Sequence, residues 1–331
     1  MTVSLKDVAQ HAGVSIKTVS NVVNDYPFVS APTRERVQAA IRELGYRPNL
    51  SARSLRTGRS GLVALAVPEL RTPYFAELAD ALVHQAGLRG WTVMIEQTDG
   101  QRDREVDVLI GHRHQTVDGV ILSPLGLTAT DLRKSRPTVP VVLLGERIYK
   151  GPVDHVSIDN EAAARQAVEH LLATGRRAIA AIGAQPKNHG TARRRLDGYL
   201  AALTDAGRPA RPAHIKSVPE FSRAAGAEAM GKLLAEDPRP DAVFCFSDLL
   251  AIGALHQLHA RGIRVPEDIA IIGFDDIDDA AYCTPSLSTI APDKVELAEA
   301  AIRLLHSRIQ GDDSPVVELT TAHRVVPRAS T

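Results

Sequence analysis

Between Ser15 and Val23 the sequence places two different chemistries on opposite sides of one short helix. At ~100° per residue, Val19, Val22 and Val23 fall on one side, and Ile16, Lys17, Ser20 and Asn21 fall on the other. A valine back must pack on a neighbour. The front then offers one cation, one amide, one hydroxyl and one apolar knob. Lysine can donate to guanine N7 or O6, asparagine can pair with adenine, and an aliphatic side chain can touch a thymine methyl. Those residue types suit a surface that reads the major groove. An ordinary amphipathic surface helix would show the same split, so the neighbouring elements must decide.

Those neighbours predict a compact three-helix unit. Leu5, Val8, Ala9 and Ala12 recur at i, i+3, i+4 and i+7, one face of a helix, and Ser4 with Asp7 has the spacing of a capping box. Gly13 supplies the turn and Ser15 can cap the second helix. Over 33–44, Val37, Ala40, Ile41 and Leu44 keep helical register. Residues 49–55 follow as a fourth short helical segment, too short to hold alone because helix nucleation is costly below about 12 residues. Arg53, Arg56 and Arg59 with Thr57-Gly58 make the connector basic and flexible.

The fixed offsets of Val8-Ala9, Ala12-Gly13-Val14-Ser15, Thr18-Val19-Ser20, Val23-Asn24, Gly45-Tyr46, Pro48-Asn49, Ala52 and Leu55 closely resemble the LacI family of bacterial transcription regulators. The resemblance implies a helix-turn-helix headpiece over 1–47 and a hinge over 48–60. It implies major-groove contacts from Ser15, Ile16, Lys17, Ser20 and Asn21. It also implies a hinge helix that forms when two subunits meet on DNA, with Asn49, Ala52, Arg53 and Leu55 at the minor groove. Leu55 lies where the family inserts a leucine, and apolar wedges of that kind kink a base step.

Bulk properties agree with a nucleic-acid partner at one end. The 331 residues carry no net charge, but residues 1–60 hold nine Lys/Arg against four Asp/Glu, a net of +5 that the remainder offsets. A basic head on an acidic body fits a polyanion partner at the head. No signal peptide is expected, since 5–12 is amphipathic and short. No apolar run approaches the roughly 18 residues that suggest a membrane span, so a cytoplasmic protein is expected. Cys245 and Cys283 sit in apolar segments and read as small buried hydrophobes rather than a disulfide or metal site.

From Gly61 the pattern changes to short apolar strands (62–68, 92–96, 119–122, 139–144) alternating with helical stretches, including 75–89 and 106–114. It restarts after 157–160, with helices near 161–173, 191–206, 222–235 and 249–261 and strands near 178–182, 214–217, 242–246 and 269–274. Such alternation implies parallel sheets in an α/β fold, here a body of two similar lobes over 61–331. The expected fold class is therefore an all-α helix-turn-helix headpiece plus an α/β two-lobed, periplasmic-binding-protein-like body. By the resemblance the chain crosses between lobes three times, near 159, 289 and 319. One lobe then takes about 61–158 and 290–318, and the other 160–288 and 319–331. Pro327–Thr331 matches the family's usual ending without leucine heptads after it, so a C-terminal coiled coil is not expected.

Ligands of parallel sheets sit at the carboxyl ends of strands. Those ends carry Tyr74 and Phe75, Ser123, the segment reaching Arg195, Phe221, Ser247-Asp248 and Asp275. In a chain with only 4% aromatics, three at these loops suit stacking on a sugar or base ring, while Arg195, Asp248 and Asp275 can clamp hydroxyls or ring nitrogens. Asp248 could instead cap the following helix, and Asp159-Asn160 reads as structural. The family's effector positions align with Tyr74, Phe75, Ser123, Arg195, Phe221, Ser247 and Asp275. Two departures bear on the ligand: Gly145 stands where many relatives have an acidic residue, and His189 where the purine-binding member has arginine. Both favour a sugar or glycoside over a purine.

No GxSxG, HExxH, P-loop or dinucleotide fingerprint occurs. Asp275-Asp276-Ile277-Asp278-Asp279 lacks the spacing of a calcium loop, and His112 and His114, two apart, would not face together on a helix. No catalytic residue, metal or cofactor is expected. The expected function is a homodimeric, sugar-released repressor on a pseudo-palindromic operator, because one headpiece makes too few contacts for tight specific binding. A purine- or nucleoside-responsive co-repressor is the alternative; a sugar-binding protein without regulatory role, or an enzyme using the cleft acids, would not need the headpiece.

Overall fold

The computed structural model describes residues 3–23, 26–46, 58–111, 117–185 and 190–331. The expected hinge residues Asn49, Ala52, Arg53 and Leu55, together with His112, His114 and His189, lie outside them. The chain divides into two units, 1–60 and 61–331.

Helix α1 (Leu5–Ala12) starts at the capping box: the Ser4 amide donates to Asp7 Oδ2 at 2.8 Å, and Ser4 Oγ accepts from the Asp7 amide at 3.4 Å. Gly13, at φ 63°, ends the helix in the left-handed conformation that glycine tolerates best. Ser15 Oγ then accepts from the Thr18 amide at 3.1 Å and opens α2 (Ile16–Val23). Helix α3 (Ala31–Leu44) begins two residues earlier than its apolar spacing predicts, because Pro32 fits the first helical turn. Val8, Ala9, Val19, Val22, Val37, Ala40 and Tyr46 form the buried core of this unit.

The second unit holds two six-stranded sheets. The first comprises β1 (Leu62–Val67), β2 (Thr92–Gln97), β3 (Gly119–Leu122), β4 (Val141–Leu144), β5 (Asp154–Ile158) and β11 (Glu318–Thr321). Its order is β11-β5-β4-β3-β1-β2, with every pair parallel. Side chains of β1 alternate between two cores: Val63, Leu65 and Val67 enter one, Ala64 and Ala66 the other. That two-sided burial is why the strand reads as a continuous apolar run. Helices α4 (Pro73–Gly87), α5 (Arg102–Ile110), α6 (Ala129–Ser135) and α12 (Lys294–Ile309) belong to this lobe.

The second sheet comprises β6 (Ile179–Ala184), β7 (Ile215–Ser217), β8 (Ala242–Cys245), β9 (Ala270–Phe274), β10 (Ser288–Pro292) and β12 (His323–Val326), in the order β12-β10-β9-β8-β6-β7. Only β12 runs antiparallel to its neighbour. Helices α7 (Asn160–Ala173), α8 (Thr191–Asp205), α9 (Arg223–Leu233), α10 (Asp248–Ala260) and α11 (Asp278–Tyr282) complete the lobe.

The chain crosses between lobes at 159, 293 and 322, so two of the expected crossings are corrected by three or four residues. Residues 288–292 remain in the second sheet, and β11 pairs with β5 in the first. At the first two crossings the physical marker is a helix cap. Asp159 caps α7 by accepting from the Ala162 amide at 3.0 Å, and Asp293 caps α12 by accepting from the Glu296 amide at 2.8 Å. No described helix is long and apolar enough to cross a membrane.

Candidate functional site

In the headpiece, α2 separates its faces as its sequence predicts. Val19 and Val22 are buried, whereas Ser15, Ile16 and Lys17 are exposed and Ser20 and Asn21 are half-buried. The core fixes the helix through its back and leaves Ile16 and Lys17 at its front in solvent. Ser15 is occupied as the cap of α2, which places its hydroxyl beside the helix N-terminus.

The body concentrates charge at the ends of its second-lobe strands. Arg195 on α8 is 6% exposed. Its Nε donates to Asn160 Oδ1 at 2.7 Å, its Nη1 donates to the Phe246 carbonyl, and its Nη2 lies 3.5 Å from Asp275 Oδ1. The guanidinium also lies 3.4 Å from the Phe274 ring centroid, a cation-π arrangement that rewards a desolvated arginine. Held from three sides, the side chain is oriented before any ligand arrives.

Asp275 follows β9 with φ 112°, and Asp276 with φ 47°. Two successive non-glycine residues in this region are strained, and such turns persist only where their surroundings hold them. The holders are visible: the Asp275 amide donates to the Ile290 carbonyl at 2.9 Å, and the Ile277 amide donates to Asp248 Oδ2 at 3.0 Å. Asp248 Oδ1 accepts from Thr289 Oγ1 at 2.6 Å. A Cβ at position 273 would overlap Asp248 Oδ1, so Gly273 makes room for that carboxyl group.

Asp248 is therefore placed differently from the expected ligand clamp. It is fully buried, with both oxygens bonded beneath the Asp275 turn. Nor is it the cap of α10; that is Ser247, whose Oγ accepts from the Leu250 amide at 3.3 Å. Burial first, and the nearby Asp275 charge second, hold the Asp248 carboxyl well above the usual carboxylate range. Burial likewise pushes Asp275 up to about 6, against the opposing pull of Arg195 and Lys294.

The first lobe contributes aromatic faces. Tyr74 and Phe75 stand in the first turn of α4 with ring centroids 5.3 Å apart and edge to face. Tyr74 packs on the cores of both lobes, and burial, together with Glu146 and Asp275, pushes its phenol up. Tyr74, Arg195, Asp275 and Glu146 thus share one electrostatic neighbourhood. Ser123, after β3, is buried with its Oγ close to Gly145, and Phe221 packs on the second-lobe core.

Two of these residues carry roles that differ from their sequence reading. Gly145, at φ 80°, turns the chain, and the acidic residue beside it, Glu146, accepts from Thr191 Oγ1 at 2.8 Å across the lobes. Asn160 is more than a crossover residue: its Oδ1 holds Arg195, and its Nδ2 is buried without a hydrogen-bond partner. Neither role has a local signal, since the partners lie 45 and 35 residues away. Among the described residues, no group of three His, Cys, Asp or Glu could hold a metal. Cys245 is buried and Cys283 half-buried, both as free thiols.

Residues 4–49 match the family described as bacterial regulatory proteins, lacI family, and residues 168–331 match the periplasmic binding protein-like domain. The chain is 34% identical over 339 residues to catabolite control protein A of Priestia megaterium, covering 100% of each. It is similar to the solved complex of the transcriptional regulator CelR with cellobiose, at 34% identity and a TM-score of 0.72, covering 99% of this chain and 100% of that one. It is also similar to the Lac repressor dimer bound to operator and the anti-inducer ONPF, at 29% identity and a TM-score of 0.85, covering 100% and 99%.

Proposed function

The chain belongs to the lacI family of bacterial regulatory proteins, and we propose that it is a homodimeric repressor released from a pseudo-palindromic operator by a sugar or glycoside. The observation that carries this reading is the pairing, in one chain, of an exposed Ile16-Lys17 front on a core-anchored helix with a buried Arg195 facing the half-buried Asp275 near Tyr74. The first supplies base contacts from Lys17, Ser20 and Asn21, with Ser15 and Ile16 alongside. The second supplies a polar clamp and an aromatic face, the combination that orients a polyhydroxylated ring.

Tyr74 and Phe75 form the stacking wall, Arg195 and Asp275 bond ligand hydroxyls, and Ser123, Phe221 and Ser247 shape the walls. Asp248 acts from beneath by fixing the Asp275 turn. Asn49, Ala52, Arg53 and Leu55 serve as the minor-groove hinge. The protein works on DNA by binding rather than turnover, which places it with the genome in the cytoplasm. A ligand acts only through its differential affinity for DNA-bound and free states, and the effect is reciprocal. The sugar bound by CelR supports this ligand class.

The test is capture of genomic fragments by the purified protein, followed by elution with a sugar panel. One sugar is expected to release selected fragments from the wild type, while Arg195→Ala and Asp275→Ala keep the fragments and ignore the sugar. Capture without sequence selection overturns the operator reading. Release of both variants at the wild-type sugar concentration overturns the clamp.

A further inference from the structure

Glu77 and Lys294 lie outside the ligand wall, yet both reach from the first lobe to the turn that carries Asp275. Glu77 sits on α4 one helical turn beyond Tyr74, and Lys294 opens α12 immediately after the crossing at Asp293. Lys294 Nζ donates to Glu77 Oε2 at 2.7 Å and to the Asp276 carbonyl at 2.8 Å. The other Glu77 oxygen, Oε1, accepts from the Asp278 amide at 3.0 Å. One ion pair thus ties down a carbonyl and an amide of the opposite lobe, two residues apart. Its side chains are 14% and 31% exposed for Lys294 and Glu77, so water competes only in part.

The turn they grip needs holding. Asp275 and Asp276 are the strained pair, and the second lobe supplies its own restraint through Arg328 Nη2, which donates to Asp276 Oδ1 at 2.7 Å. Arg328 fixes a side chain, whereas Glu77 and Lys294 fix backbone atoms and hence the conformation of the turn. Lys294 Nζ also stands 6.0 Å from the Tyr74 ring centroid, so the clasp touches the aromatic wall as well as the acid.

We propose that Glu77 and Lys294 are positioning residues, an interlobe clasp that sets the 275–278 turn and thereby presents Asp275 to a ligand only while the lobes are closed. This rests on the reading of Asp275 as a ligand contact. The ion pair itself touches no ligand. It converts lobe closure into the geometry of the clamp, which is how a first-lobe residue can influence a second-lobe contact.

Hydrogen exchange of the full-length protein tests the clasp without any ligand. In Lys294→Met and Glu77→Ala, amides of 275–283 are expected to exchange at least tenfold faster, with 62–67 and 242–246 unchanged and Lys294→Arg close to wild type. Wild-type exchange over 275–283 in both variants overturns the proposal, as does a uniform acceleration that includes both core strands. A second arm titrates cellobiose and ribose. Where the wild type binds one of them, Lys294→Met should bind it at least tenfold more weakly and Lys294→Arg should recover; equal affinity of Lys294→Met and wild type overturns the proposal. Wild-type binding of neither sugar counts against those two effectors, and the exchange arm then decides the clasp alone.

Discussion

The headpiece and the second lobe solve opposite problems with their polar groups. The headpiece buries an apolar core with Tyr46 at its edge and keeps Ile16 and Lys17 in solvent. The second lobe draws Arg195, Asn160 and Asp248 inside, each under 7% exposed, and compensates them with hydrogen bonds at every side-chain oxygen, only Asn160 Nδ2 lacking a partner among them. Buried polar groups are costly unless partnered. The headpiece can therefore vary its contact residues almost independently of its fold, while the second lobe cannot change its buried charges without disturbing its core.

The sharpest way to break that contrast is Asp248→Ala. It takes the acceptor from the Ile277 amide, leaves Thr289 Oγ1 only the longer bond to the Ile290 carbonyl at 3.3 Å, and opens a cavity beneath the turn. The orphaned amide costs ~1–3 kcal/mol, and with the weakened hydroxyl bond and the cavity the expected loss is about 3–5 kcal/mol. Urea unfolding of the full chain, followed by far-UV circular dichroism, measures it. A loss below about 1 kcal/mol, the ordinary range of a single substitution, would show that the carboxyl group is not integral to the lobe.

Lys17→Ala and Asn21→Ala invert the pattern. Each should weaken operator binding by about 1–3 kcal/mol at its cognate base, while stability shifts by no more than roughly 0.5 kcal/mol. Gel-shift titrations against mutated half-sites, with melting curves alongside, separate the two effects. Undiminished discrimination between half-sites by both variants would remove α2 as the reading helix.

How much could be read without the fold follows the same divide. The headpiece was legible because its signals are local: Val8 and Ala9 recur at helical spacing, Ser4 and Asp7 lie three apart, and Gly13 closes the first helix. Strands β1–β4 and β6–β9 were legible as short apolar runs, whereas β5, β10 and β12 were not, and Arg195 and Asp275 were legible as residues at strand ends. Glu146 and Asn160 were not, because their partners come from other elements. Helix α12 was overlooked although Leu297, Ala298, Ala301, Ile302 and Leu305 are helically spaced and buried. Strand β11, Glu-Leu-Thr-Thr at the sheet edge, has no apolar run to announce it.

The Asp275 carboxyl should also make the body sensitive to mildly acid pH. Asp275 is pushed up to about 6 by burial, with Arg195 and Lys294 pulling down and Glu146 pushing up. An acid whose folded value is raised favours the fold most when protonated. That proton-linked stabilisation is present below about 4, the ordinary carboxylate value, and is lost as pH rises through about 6. A ligand that needs the carboxylate then binds up to roughly tenfold more weakly per pH unit below 6. Isothermal titration with the releasing sugar from pH 7.5 to 5 checks this, with Asp275→Asn expected to flatten the profile. An equally steep profile in that variant would assign the titration to another group.

The smallest expected effect lies at the start of the headpiece. Ser4 caps α1 through its own hydroxyl, and replacing such a cap with alanine costs about 1 kcal/mol. A helix of eight residues has little propensity to spare, since isolated helices of that length are marginal. The loss should therefore appear as faster opening of α1, a roughly fivefold rise in the exchange of its amides. Operator affinity should change far less than in Lys17→Ala, because α1 supports α2 without supplying a base contact. The box also has a pH signature of opposite sign to that of Asp275. Hydrogen bonds from Ser4 hold the Asp7 carboxyl below its ordinary value, so its contribution is present above about 4 and fades as pH falls through the lowered value. Protection factors over 5–12, with the intrinsic pH dependence of exchange divided out, should accordingly fall on acidification in the wild type and depend less on pH in Ser4→Ala. An operator affinity that falls as far in Ser4→Ala as in Lys17→Ala would mean that the headpiece, like the second lobe, ties its contact residues to its stability.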